Sequence, residues 1–229
     1  MTETDPLTLA LSELHPATKA LGAGDEEVTR LAVDFGAMVA SVTTATARAS
    51  GDAARLHSDD VSNPAGVARQ LAELPASLKA TTEAHLAGAD VQLDVIEGIH
   101  LERLLRHNPK SDQALIAELA NWTANLKQEN AVATMVQLAA NPRYSTILAG
   151  PLGDSLGARF NFDSAILRKV ALESLAVNGT EDQVRRSQAL AAIPAARRVI
   201  GLAKAGRDNV AEQSQRAPRR QQTVSALMP

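Results

Sequence analysis

Residues 25–50, DEEVTRLAVDFGAMVASVTTATARAS, decide the fold class of this 229-residue chain. The stretch opens with three acidic residues, which stabilise the N-terminus of a helix by interacting with the helix dipole. Its apolar positions recur in alternating steps of three and four residues, and this spacing predicts one long helix with a heptad seam. The predicted seam residues are Val28, Leu31, Phe35, Met38, Val42, Ala45 and Ala49.

Small side chains dominate the helix after Val42, because residues 43–55 contain no large apolar residue. Any helix that packs against this part must approach closely, which alanine and glycine permit. Aromatic residues make up only 2% of the chain, so its core must be built from Leu, Val, Ile and Ala. Gly51 and Asp52 are predicted to break or kink the helix.

The remaining sequence is predicted to be helical as well. Thr180 and Gln183 have the spacing of a capping box at a helix start. Pro16, Pro75 and Pro194 are predicted to divide or kink the helices that contain them. A further predicted seam consists of Leu115, Leu119, Trp122 and Leu126. We therefore predict an all-α fold, a compact multi-helix bundle of about eight helices.

The domain organisation follows from the same pattern. We predict a single helical domain over residues 1–213, with a possible sub-boundary near residues 141–162. Residues 214–229 are predicted to form an extended C-terminal tail, because they contain an Arg/Pro-rich linker and then the short apolar stretch TVSALMP.

The composition excludes several classes of function. The chain contains no cysteine, which excludes disulfides, thiolate zinc sites and cysteine nucleophiles. No window approaches eighteen uninterrupted apolar residues, and the acidic N-terminus does not resemble a signal peptide. We expect a cytoplasmic protein with no membrane contact and no cofactor. No catalytic motif stands out, so we do not expect an enzyme.

Residues 149–163, AGPLGDSLGARFNFD, interrupt the helical pattern with three glycines and a proline. We predict a long Gly/Pro/aromatic loop here, because long irregular connections are often functional. The loop over residues 143–162 is a candidate interface, since aromatics and arginine are enriched at protein interfaces. The candidate interface residues are Arg143, Tyr144, Leu152, Arg159, Phe160 and Phe162. In the alternative interpretation, the aromatic side chains fill the core beneath the loop.

The charges change sign along the chain. The formal net charge is −9 over residues 1–100, +1 over residues 101–179 and +5 over residues 180–229. Opposite charges at the two ends favour head-to-tail contacts between copies. Alternatively, the basic end binds nucleic acid through phosphate contacts. The candidate residues for that alternative are Arg185, Arg186, Arg197, Arg198, Arg216, Arg219 and Arg220.

Glu97 and His100 form an E-x-x-H pair on a predicted helix, as in ferritin-like metal-binding bundles. Such bundles need a second E-x-x-H pair and two more glutamates, which the sequence does not supply in this pattern.

Together these patterns predict a non-catalytic, oligomeric structural or scaffolding protein, such as an assembly or virion component. It would self-associate or dock partners through the loop and the C-terminal tail, which could bind a protein partner. Nucleic-acid binding is the first alternative and a metal-binding bundle the second.

Overall fold

The computed structural model describes residues 5–22, 25–59, 62–105 and 109–216, with backbone alone for residues 109–111. These described residues form nine helices and no strand, which confirms the all-α prediction. The helices are α1 (Pro6–Leu21), α2 (Glu26–Ser58), α3 (Pro64–Leu104), α4 (Pro109–Ala124), α5 (Gln128–Ala139), α6 (Pro142–Leu148), α7 (Pro151–Phe160), α8 (Ala165–Asn178) and α9 (Glu181–Gln215).

The predicted divisions of helices at prolines and at Gly51 are wrong, and a kink within a continuous helix stays a prediction. Pro16, Pro75 and Pro194 all lie inside continuous helices. A proline removes one backbone hydrogen bond, but buried side chains on both sides keep each helix on its core. The helix α2 also continues through Gly51, where a Cβ atom would have no neighbouring atom within 4 Å.

The chain divides into two compact units. The first unit comprises Met1–Gly22, Thr29–Val95 and Ile193–Pro229, and the second comprises Ala23–Val28 and Ile96–Ala192. The helices α2, α3 and α9 therefore contribute residues to both units. The predicted sub-boundary near residues 141–162 lies inside the second unit.

The first unit is built from α1 and from parts of α2, α3 and α9. Its buried seam on α2 repeats every three or four residues, as predicted, but it includes Ala32, Val39 and Thr46 in place of Leu31, Met38 and Ala45. The buried residues on this part of α2 are Ala32, Phe35, Val39, Val42, Thr43, Thr46, Ala49, Ala53 and Leu56. Gln92 on α3 donates a hydrogen bond to the Leu31 carbonyl at 3.3 Å, which links the two helices.

The second unit is built mainly from short helices, with α6 packed against α5, α7 and α8. Its largest core cluster consists of Leu119, Ala131, Met135, Ala139, Tyr144, Ile147, Leu148, Ala149, Leu156, Phe160, Leu167 and Ala171. A second cluster joins Leu104, Leu175 and Leu190.

The predicted long loop is wrong, because residues 142–148 and 151–160 form the helices α6 and α7, with only a two-residue turn between them. Asn141 caps α6 by accepting a hydrogen bond from the Arg143 backbone at 3.0 Å, and Pro142 occupies the first turn. Pro151 occupies the first turn of α7 in the same way. Asn161 ends α7 in the left-handed conformation, at φ 52°. The prolines therefore begin helices here, and Gly150 is the N-cap of α7, while Gly153 and Gly157 lie inside it.

The last helix, α9, ends at Gln215, so the predicted tail over residues 214–229 begins within a helix. Residues 217–229 lie outside the described residues. Of the helices that are described, none combines the length and the apolar character needed to cross a membrane.

Candidate interaction surface

Glu118 on α4 holds two side chains of α6 in place. Its Oε2 accepts a hydrogen bond from Nη2 of Arg143 at 2.8 Å, and its Oε1 accepts one from the Tyr144 hydroxyl at 2.8 Å. The Arg143 guanidinium lies over the Tyr144 ring, 5.3 Å from the ring centroid. The three side chains form one connected network in the second unit, because every group contacts the other two.

The backbone of α6 fixes this network. The Asn141 cap orients the first turn, and Arg143 and Tyr144 follow directly after it. The Tyr144 ring lies in the core with only 8% of the residue exposed, while its hydroxyl extends to Glu118. The hydrogen bond to Glu118, helped by burial, raises the pKa of the Tyr144 phenol above its ordinary value of 10.0.

Trp122, the only tryptophan of the chain, is 61% exposed. It lies one helical turn after Glu118, on the same face of α4. Its predicted place in the buried seam is wrong, because the buried residues of α4 step from Leu119 to Thr123 and leave Trp122 outside. We call Glu118, Trp122, Arg143 and Tyr144 the Trp122 surface.

A polar cleft of about 320 Å³ adjoins this surface. It is lined by Arg103, Leu104, Asp112, Leu115, Arg143, Thr146, Ile147, Thr180, Asp182 and Gln183. The titratable residues of this lining are two arginines and two aspartates, Arg103, Arg143, Asp112 and Asp182.

The charged groups of the cleft are already engaged within the chain. Arg103 forms ion pairs with Asp25 and Glu27. The predicted capping box is confirmed: the Thr180 backbone donates to Oε1 of Gln183 at 2.8 Å, and the Gln183 backbone donates to Oγ1 of Thr180 at 3.4 Å. The cleft is therefore a neutralised polar surface, which suits contact with another protein better than capture of an anion.

The remaining candidate interface residues lie on and just after α7. Phe160 is 7% exposed and belongs to the core, and Leu152 and Phe162 pack against the same core while partly exposed. Arg159 is exposed, with its guanidinium 5.0 Å from the centroid of the Phe160 ring. The structure thus brings Arg143 together with Tyr144 and Arg159 with Phe160. The burial of the aromatic rings is what the alternative interpretation of this segment predicted.

The candidate nucleic-acid residues on α9 form ion pairs within the chain. Arg185 pairs with Glu181, Arg186 with Asp182 and Asp25, Arg197 with Asp94, and Arg198 with Glu13. A phosphate would have to compete with these carboxylates, which lowers its gain from each arginine. Arg216 is exposed at the end of α9, while Arg219 and Arg220 lie outside the described residues. Nucleic-acid binding stays a prediction, and it now depends on Arg216, Arg219 and Arg220.

The Glu97–His100 pair lies in the second unit, with His100 fully buried and Glu97 half-buried. Within residues 5–22, 25–59, 62–105 and 109–216, no group of three or more His, Asp or Glu side chains could hold a metal ion. The pair therefore lacks the additional ligands that a ferritin-like centre requires.

Comparison of the chain with protein-family models, with curated proteins and with solved structures finds no match in any of the three.

Proposed function

We propose that this protein is a non-catalytic scaffolding protein that self-associates through the Trp122 surface. The single observation that carries the proposal is the exposed tryptophan beside an ordered Glu118–Arg143–Tyr144 network. Tryptophan and arginine are among the residues that most often dominate the binding energy of protein interfaces. Trp122 and Arg143 are the exposed members here, and the largely buried Tyr144 ring lies against Arg143. Of the predicted 143–162 interface, Arg143 and Tyr144 contribute to this surface.

The network makes the surface suitable for binding because its side chains are held before any partner arrives. Arg143 contacts both Glu118 and the Tyr144 ring, and these contacts reduce the side-chain entropy that it loses on association. Trp122 offers a large apolar ring next to this fixed polar edge. An apolar anchor with a satisfied polar rim is the usual anatomy of an interface.

We propose a second copy of the chain as the partner. The Trp122 surface carries one acidic and one basic side chain, so a two-fold axis would place Arg143 of one copy near Glu118 of the other. Such a surface is complementary to itself in charge, and the two tryptophans would be covered together. The absence of cysteine agrees with a cytoplasmic location, which we include in the proposal.

The fluorescence of Trp122 tests this proposal directly, because the chain contains no other tryptophan. On raising the protein concentration, we expect its emission to shift to shorter wavelength and to become protected from a soluble quencher. Arg143→Ala should weaken the association by about 2 kcal/mol, a roughly thirtyfold change in dissociation constant.

The matched control is Arg159→Ala, which removes the other arginine that lies over an aromatic ring. This variant should show the same change of Trp122 emission with protein concentration as the unmodified protein. Emission that is independent of concentration in the unmodified protein would overturn the proposal.

A further inference from the structure

A shallow groove lies between α2 and α3 in the first unit. It is lined by Ala45, Arg48, Ala49, Asp52, Leu74, Ser77, Leu78 and Thr81 and has a volume of about 190 Å³. Pockets for small-molecule ligands usually measure about 300–1,000 Å³. The α2–α3 groove is below that range, so it suits one or two side chains of a peptide better than a small molecule.

The small residues of α2 create this groove. Ala45 and Ala49 face Leu74 and Leu78, and the alanines are too short to fill the space on the outer side. The rim is polar: Asp52, which also pairs with Arg55 at 3.5 Å, lies at one end, and Arg48 lies one turn before it on α2. Within the described part of the chain, the ion pairs do not include Arg48. Its guanidinium can therefore donate hydrogen bonds to peptide carbonyls.

The C-terminal segment starts close to the Asp52 end of the groove. The Gln213 carbonyl near the end of α9 lies 3.0 Å from Nε2 of His57, in the last turn of α2. Asp52 lies five residues before His57, which is roughly 8 Å along the helix. The chain therefore leaves α9 within two helical turns of the groove.

Residues 217–229 have the length and the order of residues that the groove requires. Val224 comes eight positions after Arg216, and an extended chain spans up to roughly 26 Å over eight residue steps. Arg219 and Arg220 come first and would reach the Asp52 end. The apolar residues Val224, Leu227 and Met228 follow, and they would reach the alanine and leucine floor.

We infer that the α2–α3 groove is the docking site of the chain's own C-terminal segment, residues 224–228. Leu227 and Met228 contact the apolar floor, Arg48 binds backbone carbonyls of the segment, and the arginines at 219 and 220 lie near Asp52. This inference goes beyond the proposed self-association, because the groove and the Trp122 surface belong to different units.

Disulfide cross-linking in the full-length chain tests the inference, since the natural sequence has no cysteine to interfere. In one variant Ser77→Cys, on the groove, is combined with Ser225→Cys. In the matched control Ala76→Cys, the adjacent exposed residue that does not line the groove, is combined with Ser225→Cys. We expect the Ser77 pair to form an intramolecular disulfide about tenfold faster, because docking raises the local thiol concentration.

A third variant adds Leu227→Asp to the Ser77–Ser225 pair and should abolish the preference, because a carboxylate cannot be buried on the apolar floor. Equal rates for the Ser77 and Ala76 pairs would overturn the inference. A further experiment mixes chains that carry only Ser77→Cys with chains that carry only Ser225→Cys. A cross-linked dimer formed as fast as the intramolecular disulfide would mean that the tail of a second copy occupies the groove, and would overturn docking within one chain.

Discussion

At the scale of single residues, Gly153 shows why the segment over residues 149–163 is rich in glycine. A Cβ atom at this position would lie 2.0 Å from the carbonyl oxygen of Leu148. At Gly157 a Cβ atom would lie 3.0 Å from the Phe162 carbonyl oxygen. The sequence predicted a loop at these glycines, but they allow the close approach of backbone groups around a short helix. Only the three-dimensional packing reveals this use of glycine.

Gly153→Ala should destabilise the protein by about 1–3 kcal/mol, because the added methyl group collides with backbone that cannot move aside. Gly98→Ala is the matched control in the same unit, since Gly98 lies inside a helix with nothing within 4 Å of the added Cβ. It should stabilise by about 0.5–1 kcal/mol, because alanine has the higher helix propensity. Urea unfolding of both variants measures the difference, and equal stabilities would contradict this account of the glycine.

Tyr144 provides a prediction about pH. The chain has no other tyrosine, so the ultraviolet absorbance of tyrosinate reports this residue alone. We expect an apparent pKa above 10.0, because Glu118 accepts a hydrogen bond from the protonated phenol. The stabilisation is therefore complete below pH 10 and is lost as the pH rises through the pKa of the folded state. Glu118→Ala should return the pKa towards its ordinary value; an unchanged titration curve would disprove the coupling.

The capping box of Thr180 and Gln183 was predictable because it depends only on residues three apart.

The exposure of Trp122 was not predictable from its own helix. Steps of three and four from Leu119 lead to Trp122 and to Thr123, and the larger apolar residue was the more obvious choice. Thr123 is buried instead, with its hydroxyl donating to the Ala120 carbonyl at 3.1 Å. A threonine whose hydroxyl donates its hydrogen bond within its own helix can be buried, but the sequence shows a polar residue at that position and gives no indication of burial.

At the scale of elements, α2 shows what the periodicity of apolar residues can predict and what it cannot. The heptad spacing predicted a long helix correctly, and Phe35, Val42 and Ala49 are buried as expected. The seam also includes Thr46, whose hydroxyl donates to the Val42 carbonyl at 2.8 Å. In this helix, the positions that follow the predicted seam residues by one recur with the same steps of three and four. The spacing alone therefore does not show whether Leu31 or Ala32 is buried, and the neighbouring helices decide it.

The alanine seam of α2 makes a matched pair of substitutions possible. Ala53 is buried against Leu56, Val67 and Leu71, whereas Ala54 is exposed. Ala53→Leu should destabilise by about 1–3 kcal/mol through overpacking, because the two helices lie too close for a larger side chain. Ala54→Leu should change stability by less than about 0.5 kcal/mol. Thermal or urea unfolding distinguishes them, and a tolerated Ala53→Leu would show that α2 and α3 are not closely packed here.

At the scale of the whole molecule, the sequence predicted the all-α class but not the charge distribution of the folded chain. The basic end of the sequence suggested an exposed positive surface. In the fold, Arg185, Arg186, Arg197 and Arg198 pair with acidic residues. Three of these partners lie far away in the sequence: Glu13, Asp25 and Asp94. Charge counted along a chain does not specify which charges meet, because those pairs are formed by tertiary packing.

The mass of the protein in solution, measured by light scattering at low and high salt, tests the central claim most directly. We predict a dimer or larger assembly for the unmodified chain, which loosens at high salt because Arg143 and Glu118 take part in the contact. Trp122→Ala should be folded and monomeric at the same concentration. A monomer at both salt concentrations, or an assembly that Trp122→Ala leaves unchanged, would contradict self-association through the Trp122 surface.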